Sequence, residues 1–522
     1  MADEHYDRPV LEREIKLAAG PGFHLPDLSG LATGVHASEP QTLHLETTYW
    51  DTADLRLARW GCSMRFRGGE GWTVKLPAVN GAGPLLERPE INFAGTGRRP
   101  AAAAVSLLRA YVRGAGLKPV AHLSTRRSRV RLLDRRGERL LELVDDEVSV
   151  LDARRVTARF RELEVEVLPG GDALLQPLLA RLQAAGAAPS EQTPKYLRAL
   201  GPRASAPPEV DPLPAGPVST AGEALESVLA ASVAQLLRHD PGIRAASDPE
   251  DIHQARVAVR RLRSQLRTFG KLLDPRWTRE LRDELGWLGR ELGAARDAEV
   301  LGGRLRARIE ELPEPDRRAA AVLLQELDAR AQRAREDARK LLDGERYVRL
   351  LERLVAAANE PPLTDAASEP AADALPALAA SPWRRLKKSV KGLVPESPDA
   401  DLHQARIAAK QARYAAEAVA SLGASGAAAF ARSAARLQTV LGEHQDAVTA
   451  QAWLRANAGS GRRAFVAGEL AALERAVALR ARRDWPGAWK QLSKKRVTRW
   501  LPPGRREFSP GREAGRARSS ST

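Results

Sequence analysis

The 522-residue chain reads as an α+β multidomain protein: a strand-rich N-terminal region followed by an all-α, internally duplicated C-terminal region. Three observations predict this. Charged and apolar residues alternate with period two up to about residue 200, a proline-rich break follows, and beyond it a basic helical stripe occurs twice, about 150 residues apart.

The length suggests roughly two to four domains. A hydrophobic content of 43% suits folded cores, and a net charge of +16 asks for an anionic partner: nucleic acid, acidic lipid or a polyphosphorylated compound. The single cysteine, Cys62, excludes an internal disulfide framework. Residues 1–9 lack the basic start and apolar core of a signal peptide, and no apolar run reaches membrane-spanning length. The expected location is the cytoplasm, with association with an anionic surface or granule left open.

Strands are expected over residues 8–202, interrupted by helical pieces near 101–114 and 173–187. Residues 203–218 read as an extended proline-rich linker and 219–502 as helical, with halves at 219–355 and 383–502. An Ala-, Pro- and acid-rich stretch at 356–382 is expected to connect the halves as a mobile segment, and 503–522 to form a disordered basic tail.

Within the first region, Glu12, Glu14 and Lys16 share one strand face, as do Arg65 and Arg67, then Arg127, Arg129 and Arg131, then Glu162, Glu164 and Glu166. A solvated outer face explains any one of these strands. Four together fit better as the lining of a barrel, where carboxylates hold divalent cations and Arg and Lys hold phosphate oxygens.

The motifs E-R-E-I-K at 12–16, Y-W-D-T at 49–52, M-R-F-R at 64–67, W-T-V-K at 72–75, L-E-x-x-x-D ending at Asp146, E-L-E-V-E at 162–166 and P-K-Y at 194–196 resemble the CYTH family, the triphosphate tunnel metalloenzymes. Proline at 194 stands where that family usually has serine. The resemblance implies an eight-stranded antiparallel tunnel that binds a triphosphate and two divalent metals, Mg²⁺ or Mn²⁺. It implies that Glu12, Glu14 and Lys16 are catalytic, with Glu12, Glu14, Glu162, Glu164, Glu166 and Asp146 around metal. Lys16, Arg65, Arg67, Lys75, Arg127, Arg129 and Lys195 would grip triphosphate. Glu142, Arg88 and Glu90 are expected inside as well.

In the second region His253, Arg256, Arg260, Arg263 and Arg267 share a helix face, matched by His403, Arg406, Lys410 and Arg413. The run Leu292 to Ala298 is echoed by Leu441 to Ala447. Taken singly, such a stripe is a solvated face; duplicated, with histidine first each time, it reads as a polyanion site. The histidines could alternatively be core residues bonded to Asp297 and Asp446, or metal ligands, although neither has a second His or Cys one turn away. The pattern resembles the CHAD family. That resemblance implies two four-helix units related by pseudo-twofold symmetry, and inorganic polyphosphate along the stripes.

The function expected is divalent-metal-dependent hydrolysis of inorganic triphosphate, with polyphosphate held by the helical module. The alternative is a non-catalytic or granule-associated polyphosphate-binding protein. Specific nucleic-acid binding is disfavoured because no aromatic residue interleaves the stripe. Protein partners cannot be named from the residues.

Overall fold

The computed structural model describes residues 9–20, 22–78, 85–190, 193–211, 218–246, 248–423 and 425–502. The chain divides into two compact units between Glu209 and Val210. The expected tail over 503–522 lies outside the described residues.

The first unit is built on strands β1 (Val10–Ala18), β2 (His36–Ala37), β3 (Gln41–Asp51), β4 (Ser63–Arg67), β5 (Gly71–Lys75), β6 (Leu86–Phe93), β7 (Lys118–Leu133), β8 (Arg139–Asp152), β9 (Arg155–Val167) and β10 (Ala188–Pro189). Eight of them close into an antiparallel barrel in the order β1, β6, β5, β4, β3, β7, β8, β9, with β9 pairing back onto β1. The two-residue strands β2 and β10 pair onto the ends of β7 and β1. Closure removes the free sheet edges.

The barrel wears its apolar side chains outside. Ile15, Leu17, Leu141, Leu143, Leu163 and Val165 pack against Phe23, Leu28 and the leucines of an outer helix, Leu174, Leu178 and Leu182. Each such burial contributes about 1.5–3 kcal/mol, so stability comes from the outer layer and the inner face is released for charge.

Its helices are α1 (Arg56–Arg59), α2 (Ala102–Leu107), α3 (Arg109–Val112), α4 (Asp172–Ala184) and α5 (Lys195–Leu200); α4 is the outer helix just described. The Asp51 carboxylate of Y-W-D-T accepts the backbone N–H groups of Thr52, Leu57 and Ala58 at 2.6, 2.9 and 2.9 Å, which fixes the turn into α1. At one end of the barrel, Tyr196 from α5 packs with Tyr49, Val148 and Val150. Cys62 is buried, and burial pushes its thiol above the ordinary range.

The expected linker over 203–218 is shorter than predicted. Pro202–Ser205 forms a 3-10 turn, and Glu209 accepts hydrogen bonds from Trp60 Nε1 (2.9 Å) and Arg113 Nη2 (2.7 Å), tying this stretch to the barrel unit. Residues 212–217 lie outside the described residues.

The second unit is helical: α6 (Ala221–Ala245), α7 (Pro249–Thr268), α8 (Pro275–Ile309), α9 (Glu314–Asp343), α10 (Glu345–Asn359), α11 (Ala371–Val390), α12 (Asp399–Ala420), α13 (Ala427–Ala456), α14 (Gly461–Leu492) and α15 (Lys495–Thr498). Successive helices from α6 to α9, and again from α11 to α14, pack side by side as two four-helix units, with α10 laid against α6. A pseudo-twofold relation is visible in the backbone. Thr220 and Pro370 form an antiparallel bridge, and two reciprocal bonds flank it: Ala221 N–H to Glu369 O and Ala371 N–H to Ser219 O, both 2.9 Å.

The connection expected over 356–382 is also shorter than the composition suggested. Helix α10 runs to Asn359 and α11 starts at Ala371, carrying Pro376 and Pro382 inside it. Proline there does not break the helix, because Ala374, Leu375, Leu378 and Ala379 bury one face of it.

Candidate functional sites

Inside the barrel lies a polar cavity of about 230 Å³. Its wall holds Glu12, Glu14, Arg65, Arg67, Lys75, Arg127, Arg129, Glu164 and Glu166, all expected from the sequence, together with Glu90 and Glu142. Glu70, which the sequence reading passed over, joins them from the β4–β5 turn and pairs with Arg67 at 2.9 Å. Register explains the convergence. Glu14 pairs with Glu166, Lys16 with Glu164, Lys75 with Glu90 and Arg127 with Asp146, and directly paired residues of antiparallel strands point to the same side.

Lys16, Asp146, Glu162 and Lys195, expected at the same site, form a buried network outside the cavity lining. Lys195 Nζ lies 2.9 Å from Asp146, 3.0 Å from Glu162 and 2.6 Å from Glu164. Lys16 Nζ bonds Glu164, with Glu14 at 3.4 Å and Glu162 at 3.7 Å. Burial disfavours the charge on Lys16, but Glu164, Glu14 and Glu162 outweigh it and hold the ammonium well above the usual lysine range. Burial likewise opposes ionisation of Glu164, yet Lys16, Lys195 and Arg127 keep it well below the usual carboxylate range. Arg127 grips Asp146 with both Nε (2.8 Å) and Nη2 (2.7 Å). Arg198, missed in the sequence, reaches Glu162 at 2.9 Å from one helical turn beyond Lys195.

Arg88 is buried and does not line the cavity. It faces Glu12 in register and donates to the carbonyls of Leu76 (3.1 Å) and Gly61 (2.8 Å).

Among the described residues no three His, Cys, Asp or Glu side chains converge as a ready-made metal cage. The donor chemistry nevertheless fits a hard divalent cation. Burial, with Glu12 and Glu142 close by, raises the Glu166 carboxyl to about 7. That crowding of carboxylates is charge that Mg²⁺ or Mn²⁺ neutralises through oxygen ligands.

In the second unit α7 and α12 pack on each other and bring the two basic stripes together. Arg260, Arg263, Arg267 and Lys410 line a groove of about 350 Å³ with Ile407, Tyr414 and Arg282. Arg282 comes from α8 and has no signal in the repeat, which is why the sequence reading missed it. Burial, then the nearby Arg406 and Arg260, lowers the Lys410 ammonium to about 8. That is the mark of cations with few counter-charges.

The other stripe residues support the groove from outside its lining. Arg256 donates to Gly293 O (3.2 Å) and Asp297 (3.1 Å), and Arg406 lies 3.7 Å from Asp446, so the repeated L-G-…-D-A run anchors one arginine in each half. Asp297 and Asp446 therefore contact arginines, against the alternative that pairs them with histidines. His403 Nδ1 instead meets Gln445 Oε1 at 2.7 Å, and burial followed by the neighbouring Arg296 holds His253 below the ordinary histidine range. Arg413 turns aside to Glu417 at 2.6 Å.

A closed tunnel with a charged interior, ahead of a duplicated helical unit with facing cationic stripes, defines the class. The CYTH domain model matches residues 11–185 and the CHAD domain model residues 227–455. Two uncharacterized proteins of Mycobacterium tuberculosis, from strains CDC 1551 / Oshkosh and H37Rv, are 32% identical over 506 residues, covering 90% of this chain and 94% of theirs. PptA from Streptomyces chartreusis is 27% identical, with a TM-score of 0.45, over 52% of this chain and 100% of its own. The CHAD domain from the plant Ricinus communis is 28% identical, with a TM-score of 0.44, over 53% of this chain and 96% of its own. The chain belongs to the family that joins a CYTH domain to a CHAD domain. CYTH tunnel proteins bind triphosphates and use divalent metals. Among the described residues no helix is long and apolar enough to cross a membrane.

Proposed function

We propose that the barrel hydrolyses inorganic triphosphate, or a related triphosphate, and that the helical domain binds inorganic polyphosphate. The observation that carries the first half is the cavity wall, where Arg65, Arg67, Lys75, Arg127 and Arg129 meet Glu12, Glu14, Glu164 and Glu166 around about 230 Å³. A triphosphate needs both surfaces: cations for its oxygens and carboxylates for its counter-cations.

The arginines hold the phosphate oxygens in bidentate fashion and stabilise charge on the departing phosphate. Lys75 balances Glu12 and Glu90, at 2.5 and 3.2 Å, so substrate entry exchanges these pairs rather than exposing bare charge. Mg²⁺ or Mn²⁺ would be held by Glu12, Glu14, Glu164 and Glu166, with Glu162 and Asp146 behind them, and supplies polarisation of the phosphate oxygens. Glu12 and Glu14 orient the attacking water, and Lys16 holds Glu164 in place from outside the cavity lining. Lys195 and Arg198 fix the carboxylates from the far side. In the helical domain Arg260, Arg263, Arg267 and Lys410 form the polyphosphate groove, Arg256 and Arg406 flank it with His253 and His403 at the head of each stripe, and Arg413 joins on release from Glu417.

The test is phosphate release from inorganic triphosphate with Mg²⁺ or Mn²⁺, comparing the intact chain with Glu12→Gln/Glu14→Gln. Release that the double substitution removes is the expected result. Background-level release with polyphosphate still bound supports the second reading, a two-module polyphosphate-binding or granule-associated protein. That reading draws on the carboxylates already being neutralised by Lys16, Lys75 and Lys195.

A further inference from the structure

A second cavity in the helical unit, of about 190 Å³, lies where α6, α7 and α12 meet. Val228, Ala231 and Ala418 form its apolar wall, and Tyr414 is shared with the basic groove. Its polar lining is unusual in what it leaves unmade. Gln265 is 7% exposed and donates its Nε2 to Val228 O at 3.1 Å and Ser232 Oγ at 2.9 Å, while its Oε1 has no partner. A backbone carbonyl cannot donate, so the Val228 contact excludes the flipped amide and makes Oε1 the unsatisfied atom. Glu417 behaves similarly: Arg413 takes Oε1 at 2.6 Å, and the buried Oε2 has no partner. A buried acceptor left unmade costs about 1–3 kcal/mol.

The pseudo-twofold relation offers an internal control. The positions that answer Ser232, Gln265, Tyr414 and Glu417 in the other half are Pro382, Ala415, Ser264 and Arg267. Bundle packing therefore does not require this acceptor set, because the related helices pack without it.

We infer that this cavity is a binding site for a small planar heterocycle carrying N–H donors, of the aminated nucleobase class. Both acceptors are closed to solvent, so an N–H edge entering the cavity would meet them on a small rotation of the Gln265 and Glu417 side chains. Arg413 already neutralises Glu417, and Arg261, bonded to Gln235 at 3.1 Å, stands in the wall, so a neutral donor fits better than an ammonium. The volume falls below the ~300–1,000 Å³ of drug-sized sites and admits a single ring system. Tyr414 supplies an aromatic wall. The base belongs either to a free nucleoside or to a nucleotide whose phosphates enter the adjoining basic groove.

Isothermal titration calorimetry on the full chain with adenosine tests this without engaging either phosphate site. The expected result is one binding event, at least about tenfold weaker for inosine, which has a carbonyl in place of the amino group, and for Gln265→Leu. Ala231→Phe, which fills the cavity, should remove it while polyphosphate binding and Tm stay unchanged. ATP binding tighter than adenosine, with the gain lost in Lys410→Ala, identifies a nucleotide; equal affinities identify a nucleoside. Absence of heat with adenosine, cytidine and guanosine at millimolar concentration, or binding indifferent to both substitutions, would overturn the inference and leave the cavity to water. Neither failure touches phosphate release or polyphosphate binding.

Discussion

The barrel and the helical bundle both gather cations, but they treat the charge in opposite ways. In the barrel the lysines and several arginines each have a carboxylate in contact: Lys16 with Glu164, Lys75 with Glu12, Lys195 with three acids, Arg67 with Glu70, Arg127 with Asp146. In the bundle Arg260, Arg263, Arg267 and Lys410 line one groove with cations as their main charged neighbours, and Lys410 pays in a lowered proton affinity. A compensated site holds its shape without ligand. An uncompensated one stores repulsion that a polyanion relieves.

The largest effect expected from this contrast is on the barrel's stability. Asp146 has a fully buried side chain and holds Arg127 and Lys195. Asp146→Ala should therefore cost about 3 kcal/mol in denaturant unfolding, because it strips Arg127 of its two-point partner, while Lys195 keeps Glu162 and Glu164. A loss below 1 kcal/mol would mean that the barrel's ion pairs are not the compensated set described.

Salt should separate the two units next. Polyphosphate affinity is expected to fall steeply with added salt, and the log–log slope to shrink by about 0.7 for each of Arg256, Arg260, Arg406 and Lys410 replaced by alanine. Fluorescence titrations at several salt concentrations give the slope, and an unchanged slope would return these residues to an ordinary solvated face.

Smaller effects follow from pH. Lys410 is charged below about 8 and loses its proton above it, whereas a bound polyanion favours the charged form. Polyphosphate binding should weaken as pH rises through about 8, by up to about tenfold per unit, and Lys410→Arg should flatten the profile. In the barrel the sign concerns a carboxyl. Glu166 titrates near 7, so Mn²⁺ binding at neutral pH should release a proton and weaken as pH falls below 7. Calorimetry in buffers of different ionisation enthalpy reads that proton, and Glu166→Gln should remove it.

Much of this was legible in the residues because strand and helix periodicities are strict. Alternation in E-R-E-I-K and E-L-E-V-E identifies the inward face, and shared offsets identify the duplicated helices, without any knowledge of neighbours. What stayed hidden depends on three-dimensional partners. Lys195 and Lys16 read as phosphate ligands, yet the register surrounds them with Glu164 and Glu162. Arg88 has the right parity, yet its Nε and Nη2 turn to the carbonyls of Leu76 and Gly61. The proline count overstated the connection at 356–382, since burial of α11's apolar face overrides local propensity. Arg282 and the acceptors of the α6–α7–α12 cavity arise from tertiary packing alone.

The bridge between Thr220 and Pro370 carries a last consequence. A linear phosphate polymer has no head or tail, so an approximately twofold frame would match the symmetry of the ligand proposed for it. Where the halves depart from each other, as in Lys410 answering Arg260 or His444 answering Ala295, the two ends of the frame would hold unequal shares of the polymer.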